Sequence, residues 1–326
     1  MTMQQTAQPA KASRAEKAKR SRSRRIYLIR KWAPAYLLML PGLIYFFINN
    51  YIPMTGIVVA FKKYKVNTGI YGSPWNGFKN FDYLFATNDA FTITRNTLCY
   101  NLAFIVVNMV LGVLFAIFIT EIKNKYAKKV YQSAVLFPFL ISIIIVSYIV
   151  FGFLSVDNGM INKSILEPLG LEGIAWYTEK KYWPFILVFV NSWKEVGYSC
   201  LVYIAGITGI DDAFYEAAKI DGAGKLRQIW SITLPCLLPT IITIVLLNIG
   251  RVFYSNFGLF YQVPMNSGSL FDVTNTIDTY VYRSLMKIGN IGMASAAGFY
   301  QSVVGFCLVL FSNTVVRRVS PENALF

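Results

Sequence analysis

The chain has 326 residues, 55% hydrophobic and 16% aromatic but only 14% charged, and its 31 Lys and Arg outnumber 16 Asp and Glu to give +15 at pH 7. Soluble chains carry roughly 25% charged residues, so an ordinary soluble domain is excluded, and a mean hydropathy of +0.47 points to lipid. Histidine is absent, which removes His-based triads, His proton relays and His metal sites.

Residues 1–31 are polar, with ten Lys or Arg between Lys11 and Lys31 against the single acid Glu16. Such a segment cannot bury enough apolar area to fold alone and reads as a disordered basic cytoplasmic tail. Beside a membrane span its charge suits anionic lipid rather than nucleic acid. The apolar run from Ala33 continues past Asn49 and Asn50 to Ala60 with no small-residue cleavage site, so it is an uncleaved first span rather than a signal peptide. Further spans are expected at Leu98–Thr120, Ala134–Leu154, Trp183–Ile207, Cys236–Tyr254 and Ile291–Val316, each near the roughly 20 residues that cross a bilayer. The expected fold class is an all-α integral membrane protein with six transmembrane helices over 32–320 and a short cytoplasmic end, 321–326. Cys99, Cys200, Cys236 and Cys307 lie far apart in apolar runs, so neither a disulfide framework nor a metal site is indicated.

Alternate loops divide the basic residues unevenly. The tail, the 121–131 loop (Lys123, Lys125, Lys128, Lys129), the 210–231 loop (Lys219, Lys225, Arg227) and the end (Arg317, Arg318) hold nineteen, and the opposite loops hold ten. The positive-inside rule puts the first set, with both termini, in the cytoplasm. The outer segments 62–96, 155–182 and 255–290 carry Gly, Pro, Asn and aromatic residues, which suggests ordered loops.

Span four contains Asn191, Trp193, Lys194, Glu195 and Tyr198. In span five Asn248, Arg251 and Tyr254 are three residues apart, with Asn256 just beyond, and the spacing predicts one shared helical face. Span two adds Asn101 and Asn108. Ionisable groups in hydrocarbon are expensive and usually face a cavity or a partner. A path for a solute with both apolar faces and hydroxyls would use the rings of Trp193, Tyr198 and Tyr254 as platforms. Asn191, Glu195, Asn248, Arg251 and Asn256 would supply its polar contacts. The plainer reading is that these groups are glue between helices, worth about 1 kcal/mol or less per bond.

The loop from Asp211 to Pro235 is the most informative stretch. Asp211 or Asp212 is placed to cap a short helix through Ile220, Gly222 and Gly224 interrupt it, and a second short helix from Lys225 to Ser231 leads toward Pro235. Phe214, Tyr215, Ile220, Leu226, Ile229 and Trp230 leave apolar area in an otherwise solvated loop, as a docking surface would. Its residues match a known pattern position by position. Glu216-Ala217-Ala218, three residues, Gly222, nine residues, Ile232, one residue, and Leu234-Pro235 resemble the EAA motif of permease subunits in binding-protein-dependent ABC importers. Asp221-Gly222-Ala223 resembles the carbohydrate branch of that family. Matches such as Leu40-Pro-Gly, Tyr51-Ile-Pro-Met, Trp193-Lys-Glu and Ile277-Asp-Thr-Tyr-Val-Tyr-Arg resemble its polysaccharide permeases.

The resemblance implies the type I ABC importer permease fold in a bacterial plasma membrane, importing oligosaccharides or polysaccharide fragments by alternating access. Glu216, Ala217, Ala218, Asp221, Gly222 and Ala223, with Leu234 and Pro235, would then couple the spans to ATPase subunits. Implied partners are a second homologous permease, two cytoplasmic ABC ATPases and an extracytoplasmic sugar-binding protein. The chain has no P-loop GxxxxGK[ST], so it is expected not to be an enzyme and to need no cofactor, ATP and Mg being used by the partner ATPases. An importer of a non-sugar solute would keep the EAA loop without the carbohydrate-type Asp-Gly-Ala, and a proton-coupled carrier would have no use for the loop.

Overall fold

The computed structural model describes residues 14–319, mostly as helix, and among them the one β pairing is an isolated bridge between Lys62 and Trp75. They divide into two units at Val58 and Val59. The first unit is carried by α1, Arg14–Phe46. Residues 14–31, expected as an irregular tail, are therefore helical: Ala, Lys, Arg and Glu are strong helix formers and run directly into the apolar span. Residues 1–13 of that expected tail, and the end 321–326, lie outside the described residues. A π turn at Phe47–Tyr51 precedes Pro53, and there the side-chain amides of Asn49 and Asn50 donate to the carbonyls of Tyr45 and Phe46 at 2.9 and 3.3 Å. What interrupts the hydropathy of this span thus satisfies its backbone, which lipid cannot do.

The second unit holds α2 (Asp89–Thr120), α3 (Lys125–Leu140), α4 (Ile143–Leu154), α5 (Trp183–Thr208), α6 (Asp212–Ile220), α7 (Leu234–Ile249), α8 (Phe257–Gln262), α9 (Ile277–Met286) and α10 (Ile291–Val319). With α1 there are five helices long and apolar enough to cross a membrane, or six if α3 and α4 make one span. That third span is not the straight helix expected from Ala134 to Leu154. It breaks at Ile141 and Ser142, whose backbones are extended, and α3 and α4 meet at a 94° bend. Pro138 lies in the last turn of α3, and the Ile141 amide closes that turn on its carbonyl.

The longest contact runs between α2 and α5, and small residues let the helices approach closely. A Cβ on Gly112 would stand 3.1 Å from the Tyr203 ring, and one on Gly197 would stand 2.1 Å from the carbonyl oxygen of Val135 in α3. Buried side chains gather in separate clusters along α2 and α5. One surrounds Tyr100, Phe104, Trp183 and Leu187, and another surrounds Val113, Ala116, Tyr203 and Ile204. The stretches between them, 105–112 and 191–199, fall near the middle of both helices; the first carries Asn108, and the second carries Asn191, Ser192, Lys194, Glu195 and Ser199.

Candidate functional site

A cavity of about 1060 Å³ opens at this mid-span level, lined by α2, α5, α7, Phe139 of α3 and the chain just after α7. A helical turn takes 3.6 residues, so Asn191, Glu195, Tyr198 and Val202 form one stripe of α5 facing it. Trp193 lies about 200° round the helix from Asn191 by the same spacing and does not line the cavity. It is not placed to be a platform there. Seven of the eight residues singled out as a path do line it: Asn191, Glu195 and Tyr198, then Asn248, Arg251, Tyr254 and Asn256.

Asn248, Arg251 and Tyr254 do not share the single helical face expected of them. Helix α7 ends at Ile249, and residues 250–253 make tight turns in which the amides of Arg251, Val252 and Tyr254 donate to the carbonyls of Asn248, Ile249 and Arg251. Irregular backbone at membrane depth needs other donors for its carbonyls, and Asn101 of α2 supplies them, donating to the carbonyls of Val252 and Tyr254 at 2.9 and 3.1 Å. From the other side, Asp278 of α9 accepts the amide and hydroxyl of Ser255, each at 2.7 Å, and the amide of Gln301 at 3.1 Å. Asn256 caps α8 by accepting from the amide of Leu259. Asn101→Leu should free those carbonyls and destabilise the protein by about 1–3 kcal/mol. Thermal unfolding in detergent is expected to show a lowered midpoint.

Sequence spacing did not reveal Phe139. Its ring stacks on Tyr198 at 5.4 Å between centroids and 20° between planes, forming an aromatic wall. Lys194 sets this wall. Its Nζ donates to the carbonyls of Phe139 and Ile141 at 2.8 and 2.9 Å, the oxygens freed by the break in the third span. A cation suits a helix C-terminus because carbonyl dipoles converge there. The signal in the sequence was Pro138 followed by Ser142, a break that a hydropathy run conceals. Asn108 also lines the cavity, and its side-chain oxygen is buried without a hydrogen-bond partner.

The segments expected outside are ordered through named contacts. Asn162 donates to the carbonyls of Val156 and Ile174 and accepts from the Trp176 indole. Arg283 donates to Asn266 and Asn275 and stacks over Phe271. Burial pulls its pKa down to about 10, so it remains charged at neutral pH.

At the other end of α5, Asp211 caps α6 by accepting the Ala213 amide at 2.9 Å. Its C-terminus closes in a Schellman turn: Gly222 has φ +76°, its amide donates to Lys219, and the Ala223 amide donates to Ala218. Glu216, Ala217 and Asp221 are exposed and Ala218 and Ala223 half-buried, and α6 has no buried residue. Phe214, Ile220, Leu226 and Trp230 stand open beside it. Two contacts fasten this loop, the Tyr215 and Thr233 hydroxyls at 2.9 Å and the ion pair of Lys225 with Glu121 at the end of α2, at 2.6 Å. The second short helix is not separate from the fifth span. Residues Lys225–Ile249 run on as one rod, with a π turn at Ile229–Thr233 ahead of Leu234 and Pro235. A wider turn gives the proline ring room without ending the helix.

Residues 108–321 match the family model described as binding-protein-dependent transport system inner membrane component. The chain is 35% identical over 288 residues to the polygalacturonan/rhamnogalacturonan transport system permease protein YteP of Bacillus subtilis (strain 168), covering 88% of this chain and 89% of that one. It is 35% identical over 294 residues to the protein LplB of the same organism, covering 90% and 91%. Among solved structures it resembles a chain of a bacterial ABC transporter involved in import of the acidic polysaccharide alginate, with TM-score 0.83, 32% identity and 91% and 99% coverage. A second match, with TM-score 0.80 and 32% identity over 90% and 96%, is to the alginate transporter in complex with an alginate pentasaccharide-bound periplasmic protein.

Proposed function

The chain belongs to the family of binding-protein-dependent transport system inner membrane components, and on that premise we propose that it forms half of the path by which a bacterial ABC importer takes up oligosaccharides or polysaccharide fragments. This is a family of transporter permeases rather than of enzymes, and its members sit in the plasma membrane as multi-pass proteins. The observation that carries the sugar reading is the mid-span cavity, which joins amide, carboxylate and guanidinium groups to a stacked aromatic wall. Hydroxyls need the first set and pyranose faces the second.

In this reading the other half of the path comes from a second, homologous permease. A sugar-loaded binding protein delivers substrate from the side of the ordered outer segments, and two ATPase subunits dock on α6 from the basic, cytoplasmic side. Glu216 and the open apolar groups Phe214, Leu226 and Trp230 would meet the ATPase cleft. The ATPases bring ATP and Mg, and this chain contributes no catalytic group. ATP binding would favour the outward-facing arrangement and hydrolysis would return the inward one, a population shift between two states of similar energy.

The test is uptake by the complete transporter in proteoliposomes. Sugar accumulation is expected to stop on ATP depletion and to persist when the proton gradient is collapsed. The reverse result would favour a proton-coupled carrier built on Glu195 and Arg251.

A further inference from the structure

We propose that Arg283 is a positioning residue that fastens the turn 264–267 to α9, and through α9 to Ser255 on the cavity wall, so that this turn and the wall move as one body. The inference rests on the reading of the cavity as a path opened and closed by ATPases, and it names what moves with that path.

The turn does not hold its shape unaided. Met265 and Asn266 stand at φ +50° and +48°, two consecutive L residues in the left-handed region, where an Asn is tolerated but the Cβ of a Met crowds the backbone. Their amides close the turn locally, donating to the carbonyls of Gln262 and Tyr261 at 3.0 Å each. Arg283 joins it to α9, its Nε donating to the Asn266 side-chain oxygen at 3.0 Å. Its Nη1 donates to Asn275, one residue before the cap of α9, at 2.5 Å, and its guanidinium lies 3.9 Å over the Phe271 ring. The remaining nitrogen, Nη2, is enclosed without a hydrogen-bond partner.

Each nitrogen of this guanidinium is therefore bonded or walled off by the chain's own residues, and no ligand or neighbouring subunit reaches it. Enclosing a charge among neutral amides and a ring costs desolvation that a neutral side chain would avoid. What arginine adds there is a planar fork that fixes two acceptors at set angles.

The first turn of α9 carries the other grip. The Ser255 hydroxyl oxygen stands 2.7 Å from both Thr276 Oγ1 and Asp278 Oδ2, and the Ser255 amide donates to Asp278 at 2.7 Å. Ser255 lines the cavity. Asp278 and Arg283 are five residues apart, about 7.5 Å of helix, on an element whose start is closed by the reciprocal bonds of Thr276 and Thr279. A short capped helix moves as a unit rather than absorbing motion.

The experiment follows amide hydrogen exchange in peptides spanning 250–256 and 262–268, in the complete transporter in nanodiscs, with and without Mg-AMP-PNP. In wild type the nucleotide is expected to change exchange in both peptides together, by at least two-fold. Arg283→Met should keep the response of 250–256, lower that of 262–268 at least five-fold, and speed exchange of 262–268 without nucleotide. Arg283→Lys, with one donor group and no fork, should fall between and serves as the test if Arg283→Met does not assemble. Adding Met265→Gly to either variant relieves the left-handed backbone and should recover part of the response of 262–268, which a purely local packing role of Arg283 would not allow. A wild-type response confined to 250–256, or a paired response that survives both Arg283 variants, would overturn this inference alone. Wild type in which 250–256 ignores the nucleotide would overturn the ATP-driven reading together with it.

Discussion

Gly222→Pro should abolish sugar-stimulated ATP hydrolysis while the protein still inserts in the membrane. Proline holds φ near −65° and has no N–H, whereas Gly222 sits at φ +76° and donates to the Lys219 carbonyl. The substitution therefore removes the Schellman turn that ends α6 and sends the chain away from Lys225. Gly222→Ala is the graded control. An L residue in the left-handed region costs about 1–2 kcal/mol, and open space surrounds this glycine, so a partial loss of coupling is expected. Glu216→Lys approaches the same loop through charge. Its side chain is exposed on α6, and reversal should abolish stimulation without changing the thermal midpoint in detergent. Normal sugar-stimulated ATPase activity in Gly222→Pro would disprove the coupling role.

Lys194→Met is expected to have the largest effect inside the membrane. It leaves the carbonyls of Phe139 and Ile141 without their donor, and a hydrogen bond to a charged group is worth about 1.5–3 kcal/mol. Two such bonds are lost, so stability should fall by about 3–6 kcal/mol, with the aromatic wall of Phe139 and Tyr198 loosened. Lys194→Arg retains charge and donors and should recover part of both stability and transport. Gly197→Val tests the same seam independently, since even one added carbon would meet the Val135 oxygen at 2.1 Å. Overpacking of that kind costs about 1–3 kcal/mol, and separating α3 from α5 would also pull Lys194 away from its carbonyls. A Lys194→Met protein with an unaltered unfolding midpoint would show that the break holds itself.

The helices and the loop before the fifth span were legible in the sequence because hydropathy runs and a fixed motif are local signals. Asp211, Ile220 and Gly222 fell where capping and glycine chemistry put them. The irregular parts were hidden for a physical reason. A span that breaks at Ile141, or stops at Ile249, stays as apolar as one that continues, and the groups that satisfy the freed carbonyls, Lys194 and Asn101, lie on other helices. Trp193 was assigned to the path by chemistry alone, although its angular position on α5 turns it away. Phe139 escaped notice because an aromatic residue in an apolar run carries no polar mark, and only the break turns it toward the cavity. The helix over 14–31 was hidden because dense charge reads as a tail, although Ala, Lys, Arg and Glu favour helix.

The rod Lys225–Ile249 has 25 residues, about 37 Å at 1.5 Å per residue. One end is tied by Gly224 to α6 and by Lys225 to the end of α2, and the other end stops two residues before Arg251. A stiff lever thus joins the loop proposed to meet the ATPases to the cavity proposed as the sugar path. A displacement at its inner end need not diffuse through a network of contacts to be felt at the cavity. It arrives directly at the turn 250–253, which carries Arg251 to the cavity wall.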